Sequence, residues 1–358
     1  MKRLLPIIPL LVCVIAVQLL CSATDTLYYL TQMTMSAYYS LLIIGLCVLM
    51  GYAGQISLGH AGFFAIGGYI SAALTTRSLI PYQESVVVQF LNSLGMLVSG
   101  RTLYGEELLV VSPGIACAVA IISAAVIALF IGIPVLKLKG HYLAMATLGF
   151  GIIIYRVVLA VEYFGEADGI SEVPAFPLFA GLSVSGNFSD RVENYYIAWG
   201  ILLIGVVLLL NLIDSRVGRG LRGIHGSEEA ADAMGVNTSR FKLQTFVLSA
   251  VFAAVAGVFL THYNGGIGPS EAGVMKSVRY VAIVAVGGMA HLWGALLMGV
   301  LLNFLSLRGI FGSYDDAVFG LILIVIMLFA PNGILSINVR HRLRQLLGKN
   351  RQDSGKEV

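Results

Sequence analysis

Met50-Gly51-Tyr52-Ala53-Gly54-Gln55-Ile56-Ser57-Leu58-Gly59-His60-Ala61-Gly62-Phe63-Phe64-Ala65-Ile66-Gly67-Gly68-Tyr69-Ile70-Ser71 is an apolar stretch crowded with glycine. Six of the eighteen positions from Gly51 to Gly68 are glycine, against 41 in the 358 residues of the chain. In an exposed helix each glycine costs about 1 kcal/mol against alanine, so stability does not account for them. Inside a membrane, glycine lets two backbones approach closely, or lets a helix break where it is shielded from lipid. The stretch therefore predicts a packed, discontinuous segment at the heart of a transport path, with polar Gln55, Ser57 and His60 inside it.

The rest of the chain sets that segment in a bilayer. Hydrophobic residues make up 58% and charged residues 11%, and the mean hydropathy is +0.89; soluble domains carry roughly 25% charged residues. The fold class is all-α, a polytopic helical membrane protein. Ten candidate spans centre on 4–23, 36–52, 56–75, 113–136, 141–161, 195–213, 243–262, 277–291, 293–311 and 314–330, and glycines interrupt the third and eighth. A net charge of +3 is too small to point to nucleic acid. Cys13, Cys21, Cys47 and Cys117 lie in or beside apolar runs without metal-ligand spacing and read as small buried hydrophobes. The N-terminus has the outline of a signal peptide, but further spans follow and it reads as an uncleaved first span.

Basic residues orient the spans. With the N-terminus in the cytoplasm and ten crossings, 15 of the 22 Lys and Arg fall on the cytoplasmic side and 13 of the 19 Asp and Glu on the other. Both termini are then cytoplasmic. The expected organisation is a transmembrane domain over 1–335, outer loops at 76–112 and 162–194, a cytoplasmic loop at 214–242, and a short basic cytoplasmic tail at 336–358 that reads as partly disordered or lipid-facing. The glycines from Gly287 to Gly299 echo the first cluster. Such pairs mark inverted repeats in many transporters, and chance similarity explains them equally well.

Two absences bear on energy coupling. No G-x-x-x-x-G-K-[ST] occurs, so the chain carries no phosphate cradle of that kind. The acids sit in loops or at span ends rather than inside spans, where proton or sodium coupling would need them. Energy is therefore expected from a partner, with a passive channel as the other reading. The loop 214–242 offers a docking element. Ser227 reads as an N-cap, Glu228 and Glu229 as first-turn acids, and Gly235 as the closing glycine. A helix of about two turns would present Ala230, Ala233 and Met234.

These residues carry a resemblance. Glu229-Ala230-Ala231 followed by Gly235 resembles the EAA-x-x-x-G loop of ABC importer permeases. Gly51 to Gly67 resembles the G-x-x-G-Q-x-S-x-G-H-A-x-F-x-x-x-G signature of branched-chain amino acid permeases. Leu136 to Gly151, with Thr147 and Gly149, resembles that family's L-R-x-x-G-x-Y-x-A-x-x-T-L-G-F segment. Ser249 to Gly257, Gly287-Gly288 and Pro331-Asn332-Gly333 fall in matching order. The pattern is closer to the LivM-type subunit than to the shorter LivH-type one. Two places depart from it. His141 stands where the family usually has an acid, and the run Gly165-Glu166-Ala167-Asp168-Gly169 has lost part of the usual T-G-G-x-[DN]-G motif. Phe246-Val247-Leu248-Ser249 stands in place of the I-x-L-P ending of classical importers, as this subfamily tends to have.

The resemblance implies an importer subunit in a bacterial inner membrane, without enzyme chemistry or bound cofactor of its own. It implies a LivH-type permease partner, two cytoplasmic ATPases that hydrolyse ATP with Mg, and a periplasmic or extracellular substrate-binding protein. Branched-chain amino acids are the implied cargo. Urea, amides or sugars are the alternative within the superfamily, and an ion-coupled carrier or channel is the alternative outside it. The coupling loop would comprise Ser227, Glu228, Glu229, Ala230, Ala231 and Gly235. The translocation core would comprise Gly51, Gly54, Gln55, Ser57, Gly59, His60, Gly62, Thr147 and Gly149. For the polar members, hydrogen bonding between helices stands beside substrate contact. Arg156, deep in the fifth span, is expected to need a partner from an outer-loop acid or a carbonyl. His291 reads as interfacial and His225 as solvated.

Overall fold

A computed structural model describes residues 7–93, 95–101, 107–178, 181–310 and 312–329. Along the chain run α1 (Ile7–Ala23), α2 (Tyr28–Ala53), α3 (His60–Thr76), α4 (Val86–Ser93), α5 (Pro113–Val135), α6 (His141–Ala160), α7 (Arg191–Asp214), α8 (Arg216–Gly226), α9 (Glu228–Ala233), α10 (Thr238–Asn264), α11 (Val274–Gly287), α12 (Leu292–Leu307) and α13 (Asp315–Phe329). Helices α2, α5, α6, α7 and α10 are long and apolar enough to cross a bilayer unaided, while α1 and α12 are shorter apolar helices. The tail at 336–358 and the Pro331-Asn332-Gly333 landmark lie outside the described residues.

Helix α10 is the hub. It packs against α2 on one side and against α3 and α5 on another, so consecutive α2 and α3 barely touch each other. Small residues allow the close crossings, as membrane helices require. A Cβ on Gly257 would sit 2.0 Å from the Phe64 carbonyl oxygen, and one on Gly67 would sit 2.3 Å from that of Ala254. Helix α5 buries Ala116, Ala120, Ala124, Ala128 and Gly132, a stripe spaced by four, and Gly132 meets Leu243 and Phe246. Its larger side chains, such as Ile122, Val126 and Phe130, face outward.

The loops sort into two ends. At one end the 54–59 connection, α8, α9 and the 288–291 turn cluster together. At the other, β3 (Ile170–Ser171) pairs antiparallel with β6 (Gly266–Ile267), and Arg77 donates to the carbonyl oxygens of Glu162 and Tyr163. That grouping agrees with alternate crossing of the spans; the charge pattern alone says which end is cytoplasmic. The 76–112 region is not an open loop. It holds α4 and a hairpin of β1 (Leu97–Arg101) with β2 (Glu107–Val111). Strands β4 (Phe176–Pro177) and β5 (Ser183–Val184) form a second small hairpin at that end.

Arg156 does not behave as expected. It lies on the exposed face of α6 and has no ion-pair or hydrogen-bond partner among the described residues. It stands four residues before the helix end, about 6 Å along the axis, close enough for a long side chain to reach the interface.

Candidate functional site

The glycine-rich stretch is a helix break folded into the interior. Helix α2 stops at Ala53 because Gly54 turns left-handed, with φ of 66°, and its N–H closes the helix on the Leu49 carbonyl. Residues 54–59 are not helical, yet Gln55 and Ser57 are buried. Helix α3 then starts at His60. Neighbouring side chains satisfy several of the freed backbone and polar groups. Thr147 accepts from the Leu58 N–H at 3.0 Å and lies within bonding distance of the Leu143 and Ala144 carbonyls. Ser277 accepts from the Ala61 N–H at 3.2 Å. His60 spans two hydroxyls, Nδ1 at 3.1 Å from Ser57 and Nε2 at 2.8 Å from Ser249. Ser57, His60 and Thr147 thus bond between segments. Gln55 Oε1 is buried without a partner among the described residues.

The remaining glycines divide by role. Gly59 abuts the Thr147 carbonyl, where a Cβ would lie 2.6 Å away, and Gly62 faces the Phe150 ring. Gly149 is half-buried, and a Cβ added to it would meet no atom within 4 Å, so packing does not require a glycine there. Gly51 is the tightest. A Cβ there would lie 1.5 Å from the Met289 carbonyl oxygen. Tyr52 donates to the Ala290 carbonyl at 3.0 Å, and Cys47 Sγ lies 3.4 Å from that of Met289. The two glycine clusters, far apart in sequence, therefore meet backbone to backbone.

The charged loop joins the same end. Its first part, read from sequence as loop, is the helix α8, capped by Ser215, whose hydroxyl accepts from the Val217 and Gly218 N–H groups. Its four glycines obscured its periodicity, but Leu221 and Ile224 at i and i+3 were the available signal. Helix α9 follows with Ser227 as N-cap, accepting from Ala230 N–H at 3.3 Å. It is six residues long, close to the expected two turns. Gly235 closes it at φ of 80°. Glu229, Ala230, Ala233 and Met234 are exposed, while Glu228 pairs with Lys242 at 2.5 Å. Ala231 faces inward and packs with Leu221, Ile224 and Ala53. A Cβ on Gly54 would touch His225 Nδ1 at 3.2 Å. So α9 rests on α8, and α8 rests on the break. His225 and His291 are both exposed.

A family model described as "Branched-chain amino acid transport system / permease component" matches residues 28–327. The chain belongs to this family. It is similar to the high-affinity branched-chain amino acid transport system permease protein LivM of Escherichia coli, with 29% identity over 322 residues, 84% of this chain and 68% of the relative. It is also similar to LivH of Escherichia coli, with 28% identity over 325 residues, 86% of this chain and 96% of the relative. The ribose import permease protein RbsC of Haemophilus influenzae matches at 27% over 168 residues, 42% of this chain and 52% of the relative. No solved structure matches. Family and apolar helices together make this a multi-pass membrane protein.

One polar cluster of this family member escaped sequence reasoning. Glu271 counts among the outer-side acids, yet its carboxylate is half-buried against α2. The chain leaves α10 at Gly265, pairs through β6, passes a short 3-10 turn at Pro269–Ala272, and starts α11 at Val274. Tyr39 Oη donates to the Glu271 carboxylate, 3.1 and 3.2 Å from its two oxygens. Lys276 Nζ is 3.1 Å from Glu271 and 5.0 Å above the Tyr39 ring. Tyr39 stands eleven residues from the start of α2, about 16 Å along the axis, and twelve from Gly51. Tyr39 therefore stands near the middle of α2. Nearby, Arg279 pairs with Asp315 at 2.9 Å and donates to Ser306. The signal in the sequence was Glu271, Lys276 and Arg279 crowding the start of a span that reads as apolar only after Arg279.

Proposed function

We propose that this chain is the membrane-spanning permease subunit of an ATP-binding cassette importer that carries leucine, isoleucine, valine or similar amino acids across a bacterial inner membrane. The observation that carries the reading is α9. A capped, six-residue helix holds Glu229 and Met234 outward and sits by Ala231 on α8, which touches the helix break at Ala53 and Gly54. Exposed acids on a short helix suit docking in a groove of a partner. The names of the LivM and LivH relatives support the cargo and a second, related permease subunit as partner.

In this reading two cytoplasmic ATPases bind and hydrolyse ATP with Mg, and a binding protein delivers the amino acid at the opposite end. Closure of the ATPase pair moves α9, and α8 passes that motion to the 54–59 break. The break residues shape the path, and the delivered ligand needs no tight site in this chain. The termini are cytoplasmic, as the charge distribution supports.

The experiment is uptake by the complete complex in proteoliposomes with Glu229→Lys. Glu229 is exposed and has no side-chain hydrogen bond or ion pair among the described residues, so the variant should fold. Leucine uptake should fall about tenfold or more, as for a lost charged contact in an interface, with ATP hydrolysis no longer stimulated by the loaded binding protein. Unchanged, coupled uptake would overturn the docking role of α9. Uptake by the chain alone under an ion gradient would instead favour a secondary carrier. The ribose relative keeps a sugar cargo in view; the ligand retained by the cognate binding protein decides between cargoes.

A further inference from the structure

We propose that Glu271, Lys276, Tyr39 and Tyr280 form a station at mid-bundle for the charged head of an amino acid, with Glu271 taking the α-ammonium and Lys276 the α-carboxylate. The proposal rests on the amino-acid cargo proposed above and names where such a cargo is handled.

Charged side chains within a membrane domain are expensive and mark pathways or structural pairs. Three observations separate this pair from a merely structural one. The first is access. The side chains of Lys276 and Glu271 keep 28% and 20% of their surface open, although Tyr39, Ser277 and Tyr280 around them are buried. The second is unspent bonding capacity. The Tyr280 hydroxyl is buried with no partner among the described residues. Tyr280 follows Lys276 by four residues, on the same face of α11, and its ring centroid lies 6.1 Å from that of Tyr39. A buried hydroxyl without a protein partner is free to bond a water or a ligand group. The third is the helix start. Gly273 gives α11 no side-chain cap, so the first-turn N–H groups of α11 open beside Lys276. A helix N-terminus at mid-depth favours an anionic group.

The head of an amino acid carries both charges on one carbon. It can part the Glu271–Lys276 pair and replace each partner with its own opposite charge, so no buried charge is left alone during the exchange. Tyr280 then gains the bond that it lacks. Phe64, stacked on Tyr39 with centroids 5.8 Å apart, offers an apolar wall for the side chain.

Tyr280→Phe tests this in the complete complex in proteoliposomes. Removing an unpartnered buried hydroxyl leaves the fold as stable as before, or more so. Leucine uptake should nevertheless fall about tenfold, the value of one hydrogen bond to a charged group, while the thermal midpoint holds. The double variant Glu271→Leu with Lys276→Leu removes both charges together and should reduce uptake at least as much. Wild-type uptake in Tyr280→Phe, or in the folded double variant, overturns the station and leaves the amino-acid cargo intact. A wild-type complex that carries no amino acid overturns the cargo itself.

Discussion

His60 Nε2 and Ser249 Oγ lie 2.8 Å apart, joining the first residue of α3 to the middle of α10. Both are buried, and the other ring nitrogen reaches Ser57 in the break. The imidazole therefore ties the non-helical segment to the hub helix. Ser249→Ala should lower stability by about 1–3 kcal/mol, because it strands a buried ring nitrogen. Thermal unfolding in detergent measures this. A change below a few tenths would show that the contact is dispensable.

Gly51 and Gly149 should respond to alanine in opposite ways. At Gly51 the new methyl meets the Met289 carbonyl oxygen, a backbone atom that cannot swing aside. Gly51→Ala should destabilise by about 3 kcal/mol or more and reduce the yield of folded protein. At Gly149 the methyl meets nothing, and Gly149→Ala should be neutral or stabilise by up to about 1 kcal/mol. Equal behaviour of the two in a thermal-shift assay would contradict the backbone contact between the glycine clusters.

Helix α9 should be marginal by itself. Ser227→Ala removes its cap at about 1 kcal/mol. Gly235→Ala puts a side chain at φ of 80°, at about 1–2 kcal/mol. Amide exchange of residues 229–234 should rise in both variants while exchange in α10 stays unchanged. Exchange that rises throughout the chain would mean that α9 is not a separable unit.

Asp190, just before α7, is held below the ordinary carboxylate range by the hydroxyls of Ser189 and Ser185 and by the Asn187 amide. A depressed folded value contributes stability above the unfolded pKa and loses it as pH falls through the folded one. Asp190→Asn should therefore flatten the loss of protection at the start of α7 when the pH drops below the usual carboxylate range. Amide exchange across an acid titration reads this out. An identical profile in the variant would remove Asp190 from the acid response.

The parts of this architecture that sequence reveals are those set by local chemistry. Ser227 and Gly235 mark α9 because capping and positive φ are properties of a few residues. The glycine run from Gly51 marks a break because glycine serves an apolar segment in few ways besides close packing and interruption of a helix. Depth and long-range pairing do not show in the same way. Glu271 looks like a loop acid until the 3-10 turn at Pro269–Ala272 carries it to Tyr39, 232 positions away. Helix α8 hid behind its glycines, and the close contacts of Gly218 with Ile213 and of Gly220 with Phe241 appear only in three dimensions. Arg156 seemed to need a protein partner because a linear span conceals which face of a helix looks outward.

The late start of α11 leaves it short. From Val274 to Gly287 it runs fourteen residues, about 21 Å at the helical rise, against a hydrocarbon core of about 30 Å. Helix α11 alone cannot cross such a layer, and the non-helical backbone that precedes it has to make up the difference. Irregular backbone at that depth is tolerated only where protein or water surrounds it, which ties the Glu271–Lys276 pair to a segment shielded from lipid.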